Sequence, residues 1–81
     1  RLKSGMSTLQ RFDSSRVVMY VDDHPPPHVH VKLRDGRDCT VDLGSFEIKG
    51  RIAEREIGEA MAWIRERQIF LQEDLWKRNQ A

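Results

Sequence analysis

The chain has 81 residues, of which 38% are hydrophobic and 33% are charged. This composition is typical of one small globular domain and excludes a disordered segment. The 14 basic and 13 acidic side chains nearly cancel, which argues against a nucleic-acid binder held by phosphate contacts alone but leaves room for a local basic patch. Because so small a chain buries only about 60% of its extended surface, a homodimer is one route to extra stability.

Other gross features narrow the class of protein further. No apolar run approaches the roughly 20 residues of a transmembrane helix and no secretory leader is recognisable, so we expect a cytoplasmic protein without a membrane partner. The single cysteine, Cys39, excludes an internal disulfide and a multi-cysteine zinc site. Residues Arg1–Gly5 precede a methionine and are interpreted as a cloning remnant, which leaves residues 6–81 as one domain.

The acidic residues divide the chain into two halves of different predicted structure. All six acids in residues 1–44 are aspartates, whereas six of the seven in residues 45–81 are glutamates. Because Asp favours turns and Glu is tolerated in helices, we expect a sheet-rich first half and a helical second half. The distribution of valine agrees, since all six valines lie in the first half.

Three strands are predicted in the first half of the chain. Their ranges are 16–21, 28–33 and 37–43. The first is apolar on both faces, which indicates a central strand, and the other two alternate between apolar and polar side chains. In the connector between the first two strands, Pro25, Pro26 and Pro27 restrict the backbone. The connector is therefore expected to be stiff.

The loop between the last two of these strands decides which side chains face one another. A two-residue turn at Asp35-Gly36 would pair apolar with polar residues on both faces. A three-residue loop, Arg34-Asp35-Gly36, keeps the two kinds apart and puts Gly36 at a left-handed bulge position. The facing pairs are then Val31–Cys39 and Val29–Val41 on the core side, and Lys32–Asp38, His30–Thr40 and His28–Asp42 on the other side.

The second half is predicted to complete the sheet and then to become helical. Residues 46–49 are interpreted as a short fourth strand that follows a turn at Gly44-Ser45. From about Ala53 onward, apolar residues recur at helical spacing and form one stripe. The stripe contains Ile57, Ala60, Met61, Ile64, Leu71 and Leu75, and is widened by Trp63 and Phe70.

One long helix and two consecutive helices both fit this pattern, with residues 69–71 as the favoured junction. Trp76 is expected either in the core or exposed for a partner. The predicted fold class is α+β: a small antiparallel sheet of three to four strands, followed by a C-terminal helix or helical hairpin packed on one face of the sheet.

All three histidines lie within seven residues, in the pattern His24-x-x-x-His28-x-His30. His28 and His30 are two apart on a predicted strand, so both rings should project from one polar, outward face. One interpretation is a metal site in which these two imidazoles bind a transition metal together with Asp42 or Asp22.

Two other interpretations stay open. In a metal-independent ribonuclease, His28 and His30 would perform acid–base chemistry, Asp42 would orient His28, and Lys32 or Arg16 would hold a phosphate. Alternatively, the two histidines are partly exposed strand residues that bind carboxylates, backbone or a partner. The pair Asp22-Asp23, just before the prolines, is interpreted as turn chemistry and not as catalytic.

The stretch from Met19 to Val31, MYVDDHPPPHVHV, resembles the signature of a small bacterial family called domain of unknown function 4160. Met6-Ser7-Thr8 with Phe12, this His/Pro block, and the segment from Trp63 to Trp76 match the family in order. The resemblance covers nearly all of residues 6–80. Its Pro-Pro-His-Val-His-Val core is specific, while its helical part is not, and Pro25 stands where the family more often has a polar residue.

The resemblance implies a partner more clearly than a reaction. Members are often encoded beside another small domain, in a layout like that of toxin–antitoxin pairs, so a cognate small protein, and RNA or DNA, are the expected partners. The family brings no established catalytic residues, and only His24, His28 and His30 carry over as motif positions. This is an argument by association.

We therefore expect a binding module of toxin–antitoxin type that acts through its histidine loop and polar sheet face, with no cofactor and no metal. The expected binding residues are His24, Lys32, Arg16 and Tyr20. The alternative is the ribonuclease, with His28, His30 and Asp42 as its hypothetical catalytic residues.

Overall fold

A computed structural model describes residues 5–80. Five strands form one antiparallel sheet in the order β1-β2-β3-β4-β5. The strands are β1 (Met6–Arg11), β2 (Ser15–Tyr20), β3 (His28–Leu33), β4 (Asp38–Asp42) and β5 (Ile48–Lys49). A 3₁₀ turn at Glu54–Ile57 leads into α1 (Gly58–Glu66), and a π-helical segment at Phe70–Trp76 leads into α2 (Lys77–Asn79). The predicted α+β class is confirmed, with one strand more than expected.

Of the five residues interpreted as a cloning remnant, residues 1–4 lie outside the described part of the chain. Gly5 lies inside it, and its carbonyl accepts a hydrogen bond from the Val21 amide at 3.0 Å. Within residues 5–80, no helix has the length and apolar character needed to cross a lipid bilayer.

The helices pack on the valine face of the sheet, as predicted. Buried residues of this core come from both layers, among them Val17, Met19, Val29, Val31 and Val41 from the sheet and Ile57, Met61, Ile64 and Leu71 from the helical half. Cys39 belongs to the same cluster at 3% exposure, and burial raises the pKa of its thiol. The cysteine therefore acts as a small apolar residue, as expected.

The predicted register between β3 and β4 is confirmed in every pair, including Val29 opposite Val41 and His28 opposite Asp42. The loop between them closes through a hydrogen bond from the Gly36 amide to the Leu33 carbonyl at 3.0 Å. Gly36 has a φ of 98°, the left-handed conformation that the three-residue loop requires.

Strand β1 is the element that residue patterns do not predict. Met6 and Leu9 are its only apolar residues, and it lies at the edge of the sheet with nearly all of its side chains exposed. An edge strand that contributes one side chain to the core leaves no alternating pattern in the sequence. Its partner β2 lies inside the sheet, which confirms the prediction of a central strand.

A β-bulge halfway along β1 shifts its pairing with β2 by one residue and so changes which face of the sheet its later side chains point to. Thr8 pairs with Val18 and Gln10 pairs with Val17, so that Leu9 is the extra residue. Beyond the bulge, Arg11 pairs with Arg16. Without the bulge, Arg11 would pair with the residue that precedes Arg16 in the chain, whose side chain points to the opposite face of the sheet.

The predicted fourth strand is shorter than expected, because the turn before it is longer. Phe46 adopts a φ of 66°, and its amide donates to the Asp42 carbonyl at 2.7 Å. Phe46 is therefore a turn residue, and only Ile48–Lys49 pair with β4. The observed boundaries of β2 and β4 differ from the predicted ones by one residue at each end.

The helical half consists of two segments. They separate at Arg67, whose φ of −116° and ψ of 21° leave the helical range, two residues before the predicted junction. The π-helical segment bonds each amide to the carbonyl five residues back, so residues five apart lie close to the same side. Leu71 and Trp76, which have this spacing, are both buried. Phe70 is 47% exposed, so its predicted place in the buried stripe is wrong.

Candidate functional site

The connector between β2 and β3 folds back over the start of β3. Asp22 has a φ of 59°, and its amide donates to the Asn79 carbonyl at 3.0 Å. The peptide bond between Pro25 and Pro26 is cis. This path ties the connector to the end of the helical half and places the Asp23 side chain against the histidines.

Asp23 joins the two strand histidines through one oxygen atom. Its Oδ2 lies 2.8 Å from Nε2 of His28 and 3.2 Å from Nε2 of His30. The two rings therefore share one face of the sheet, as predicted from their spacing, and their centroids lie 5.3 Å apart. Oδ1 of Asp23 accepts the amide of His24 at 2.9 Å. The turn chemistry expected for the pair Asp22-Asp23 is thus joined, for Asp23, by contacts with both strand histidines.

His28 does not project outward as expected. It is 7% exposed, because Trp76 covers it with ring centroids 5.2 Å apart and the folded connector covers it from the other side. Its Nδ1 lies 2.8 Å from the Pro26 carbonyl oxygen. Both ring nitrogens of His28 are thus engaged within the domain, while the His30 side chain remains 21% exposed.

Asp42 occupies its predicted position, but its carboxylate binds backbone amides and not His28. It lies opposite His28 on β4, yet its Oδ1 accepts the amides of Gly44 and Ser45 at 2.7 and 2.9 Å. These two backbone hydrogen bonds lower the pKa of Asp42. Asp23, and not Asp42, is the carboxylate that contacts His28. A carboxylate that closes its own turn, as that of Asp42 does, is held away from the neighbouring strand.

The electrostatics of the cluster favour a charged carboxylate. Burial on its own raises the pKa of Asp23, but hydrogen bonds from the His30 ring and the His24 amide, together with the charge and hydrogen bond of His28, lower it overall. Asp23 is therefore an anion at neutral pH, held against two imidazoles.

Two further predicted binding residues lie beside this cluster. The exposed ring of His24 has its centroid 5.4 Å from that of His28, and its Nδ1 lies 3.3 Å from Oδ1 of Asp23. Tyr20 contacts the His30 ring edge-on at 4.6 Å between centroids. The structure thus brings His24 and Tyr20 together with the two strand histidines at one end of the polar sheet face.

The other predicted binding residues form a second group that adjoins the first on the same face, since Nζ of Lys32 lies 5.5 Å from the centroid of the Tyr20 ring. Arg16 lies directly opposite Lys32 on β3, and the bulge places Arg11 directly opposite Arg16 on β1. We call Arg11, Arg16 and Lys32 the basic row. Lys32 continues it to Asp38 through an ion pair of 3.1 Å. The row borders a pocket of about 560 Å³ that Phe12 and Arg34 also line.

Sequence reasoning missed two members of these groups, Asp23 and Arg11. Asp23 lies five residues before His28, and only the folded path of the connector shows that it turns back. Arg11 reaches the basic row through a bulge in a strand that leaves no alternating pattern.

The fold and the site together define a small α+β domain whose polar sheet face carries a histidine–aspartate cluster and an adjoining basic row. The profile of the family described as domain of unknown function DUF4160 matches residues 15–76. The chain belongs to this family. No curated protein and no solved structure matches the chain.

Proposed function

We propose that this domain is a non-catalytic binding module of the bacterial cytoplasm, one component of a toxin–antitoxin-like pair, which holds an acidic segment of a cognate small protein on its polar sheet face. The observation that carries the proposal is the basic row. Three cationic residues lie directly opposite one another on adjacent strands. Among residues 5–80, no acidic side chain forms an ion pair with Arg11 or Arg16.

The basic row is unfavourable for the fold by itself. Like charges directly opposite each other on neighbouring strands destabilise a sheet. An arginine guanidinium presents a planar set of donors that matches a carboxylate through two parallel hydrogen bonds. An anionic ligand would therefore relieve the repulsion within the row and gain directional contacts at the same time. The pocket of about 560 Å³ beside the row offers space for such a group.

The charge distribution favours an acidic protein segment over a nucleic acid. A nucleic-acid backbone needs cationic contacts that follow it over several phosphates. Here the cations do not form a continuous track: Asp38 pairs with Lys32 in the basic row. Further along the face, Asp42 lies in the same cleft as Lys49, and such carboxylates would repel a continuous phosphate chain. The formal net charge of the whole chain is only +1. A short cluster of carboxylates meets these limits better. The resemblance to proteins encoded beside a small neighbour supports a protein partner independently.

The test compares two defined probes by fluorescence anisotropy: a Glu-rich peptide and a single-stranded RNA of equal charge. We expect the peptide to bind more tightly, and the R11S/R16S double variant to bind it weaker by on the order of tenfold or more. Arg55, an exposed residue of the 3₁₀ turn, provides the control R55S. Tighter binding of RNA, or equal peptide binding by the double variant, would contradict the proposal.

The ribonuclease alternative stays a prediction with a separate test. As formulated it relies on Asp42 to orient His28, and Asp42 instead binds the amides of its own turn. Incubation of RNA in EDTA with the wild type and with an H28A/H30A double variant decides the matter. EDTA-resistant cleavage that the double variant loses would favour the enzyme over the binding module.

A further inference from the structure

We propose that Asp23, His28 and His30 form a binding site for one divalent transition-metal ion of the zinc class. Each residue offers one ligand atom, and the three atoms lie within 4.8 Å of one another. Tetrahedral zinc with ligand bonds near 2.0–2.1 Å requires ligand atoms about 3.3 Å apart. Small side-chain rotations suffice to reach that spacing, because the ligands come from a strand and from a connector that already contacts it.

The contacts of His28 point one ring nitrogen at Asp23. The Pro26 carbonyl oxygen, 2.8 Å from Nδ1, can only accept, so Nδ1 carries a hydrogen. Nε2 lies 2.8 Å from Oδ2 of Asp23, and a metal ion can replace the hydrogen that joins these two atoms. Since the His28 side chain is 8% exposed, bulk water offers little screening.

The surroundings of His28 match those of a metal ligand. Metal-binding histidines characteristically donate their second ring nitrogen to a carbonyl or a carboxylate, which fixes the tautomer and the ring orientation. The Pro26 carbonyl supplies this contact here. Trp76 packs against the ring, with centroids 5.2 Å apart, and helps to bury it. His28 is therefore oriented with Nε2 toward Asp23 before any ion arrives.

The donor set selects the class of metal. Two imidazole nitrogens and one carboxylate oxygen suit zinc and its neighbours, whereas magnesium and calcium prefer shells made of oxygen. Three protein ligands leave a fourth position for water or for a partner's side chain. A cleft of about 300 Å³ lined in part by His24 and His28 adjoins the cluster, which gives such a ligand room.

The test is a titration of the untagged wild-type protein with Zn²⁺ by isothermal calorimetry, with Mg²⁺ as the comparison. We expect one Zn²⁺ per chain and no heat of binding with Mg²⁺. D23N and H30N should weaken Zn²⁺ binding by on the order of 100-fold. D13N is the control, because Asp13 is an exposed aspartate between β1 and β2, outside the cluster and its cleft. The Zn²⁺ affinity of D13N should stay within about twofold of the wild type.

Two further measurements distinguish metal binding by Asp23, His28 and His30 together from weak binding by a single exposed histidine. Binding should release protons in amounts that depend on pH, and Co²⁺ should give a visible absorption spectrum typical of four-coordination that D23N abolishes. H30N provides a second test of the site if D23N misfolds, because His30 is the less buried of the two histidines and its substitution should disturb the fold less. Absence of saturable Zn²⁺ binding by the wild type would overturn the proposal, as would a loss of binding in H24A that D23N does not share.

Discussion

Asp42 lies directly opposite His28 on the β3–β4 ladder, but its carboxylate closes the turn that follows β4. We therefore expect D42A to lower the free energy of unfolding by on the order of 1–2 kcal/mol through the loss of two backbone hydrogen bonds. The imidazole resonances of His28 in a long-range ¹H–¹⁵N spectrum should stay unchanged, whereas D23N should shift them strongly. A large shift in D42A would return Asp42 to the role first predicted for it.

The lowered pKa of Asp23 predicts a specific dependence of stability on acid. In the folded protein its pKa lies below the ordinary 3.8, so its contribution is fully present above the unfolded value and is lost as pH falls through the folded one. The difference in unfolding free energy between the wild type and D23N should therefore shrink as the pH falls below about 4. Urea denaturation between about pH 5 and pH 2 measures it. A difference that stays the same or grows below about pH 4 would contradict the assignment.

Trp76 is expected to be a major source of stability. It is 6% exposed and belongs to the core cluster, so W76A should cost about 3–5 kcal/mol. I69A is the comparison, because Ile69 lies in the same helical half but is 74% exposed; its cost should stay within about 0.5 kcal/mol. Chemical denaturation of both variants provides the values. Similar costs at the two positions would mean that Trp76 does not pack as described.

Alanine substitutions at Gly50 and Gly58 are expected to change the stability of the fold in opposite directions. Gly50 has a φ of 140°, and an added Cβ would lie 2.8 Å from the Cβ of Cys39, so G50A should destabilise the fold by at least about 1–3 kcal/mol. Gly58 is the first residue of α1, and a Cβ there meets nothing within 4 Å. G58A should therefore stabilise by about 0.5–1 kcal/mol. Thermal melts of both variants test the signs.

The extent of successful prediction follows from how strongly each element is buried. The β3–β4 register could be derived because a slip of one residue would have exposed Val29 and Val41. The edge strand β1 could not, since most of its side chains lie in solvent and the sequence around Leu9 gives no sign of a bulge. Local alternation likewise says nothing about where a proline-rich connector folds, so the contact between Asp23 and His28 stayed hidden. The burial of Trp76 stayed open in the sequence, because the π-helical spacing that buries it differs from the α-helical period by which the apolar stripe is found.

The carbonyl of Asn79 binds the amide of Asp22, and Trp76 covers His28. The histidine connector thus depends on residues about fifty positions further along the chain. Closing a loop of this length costs conformational entropy, so these contacts are expected to form late in folding. The five-stranded sheet can assemble while the connector is still unordered. During refolding, amide protection should therefore appear in β2, β3 and β4 before it appears at residues 21–24. The cluster can therefore become ordered only after the helical half has been synthesised.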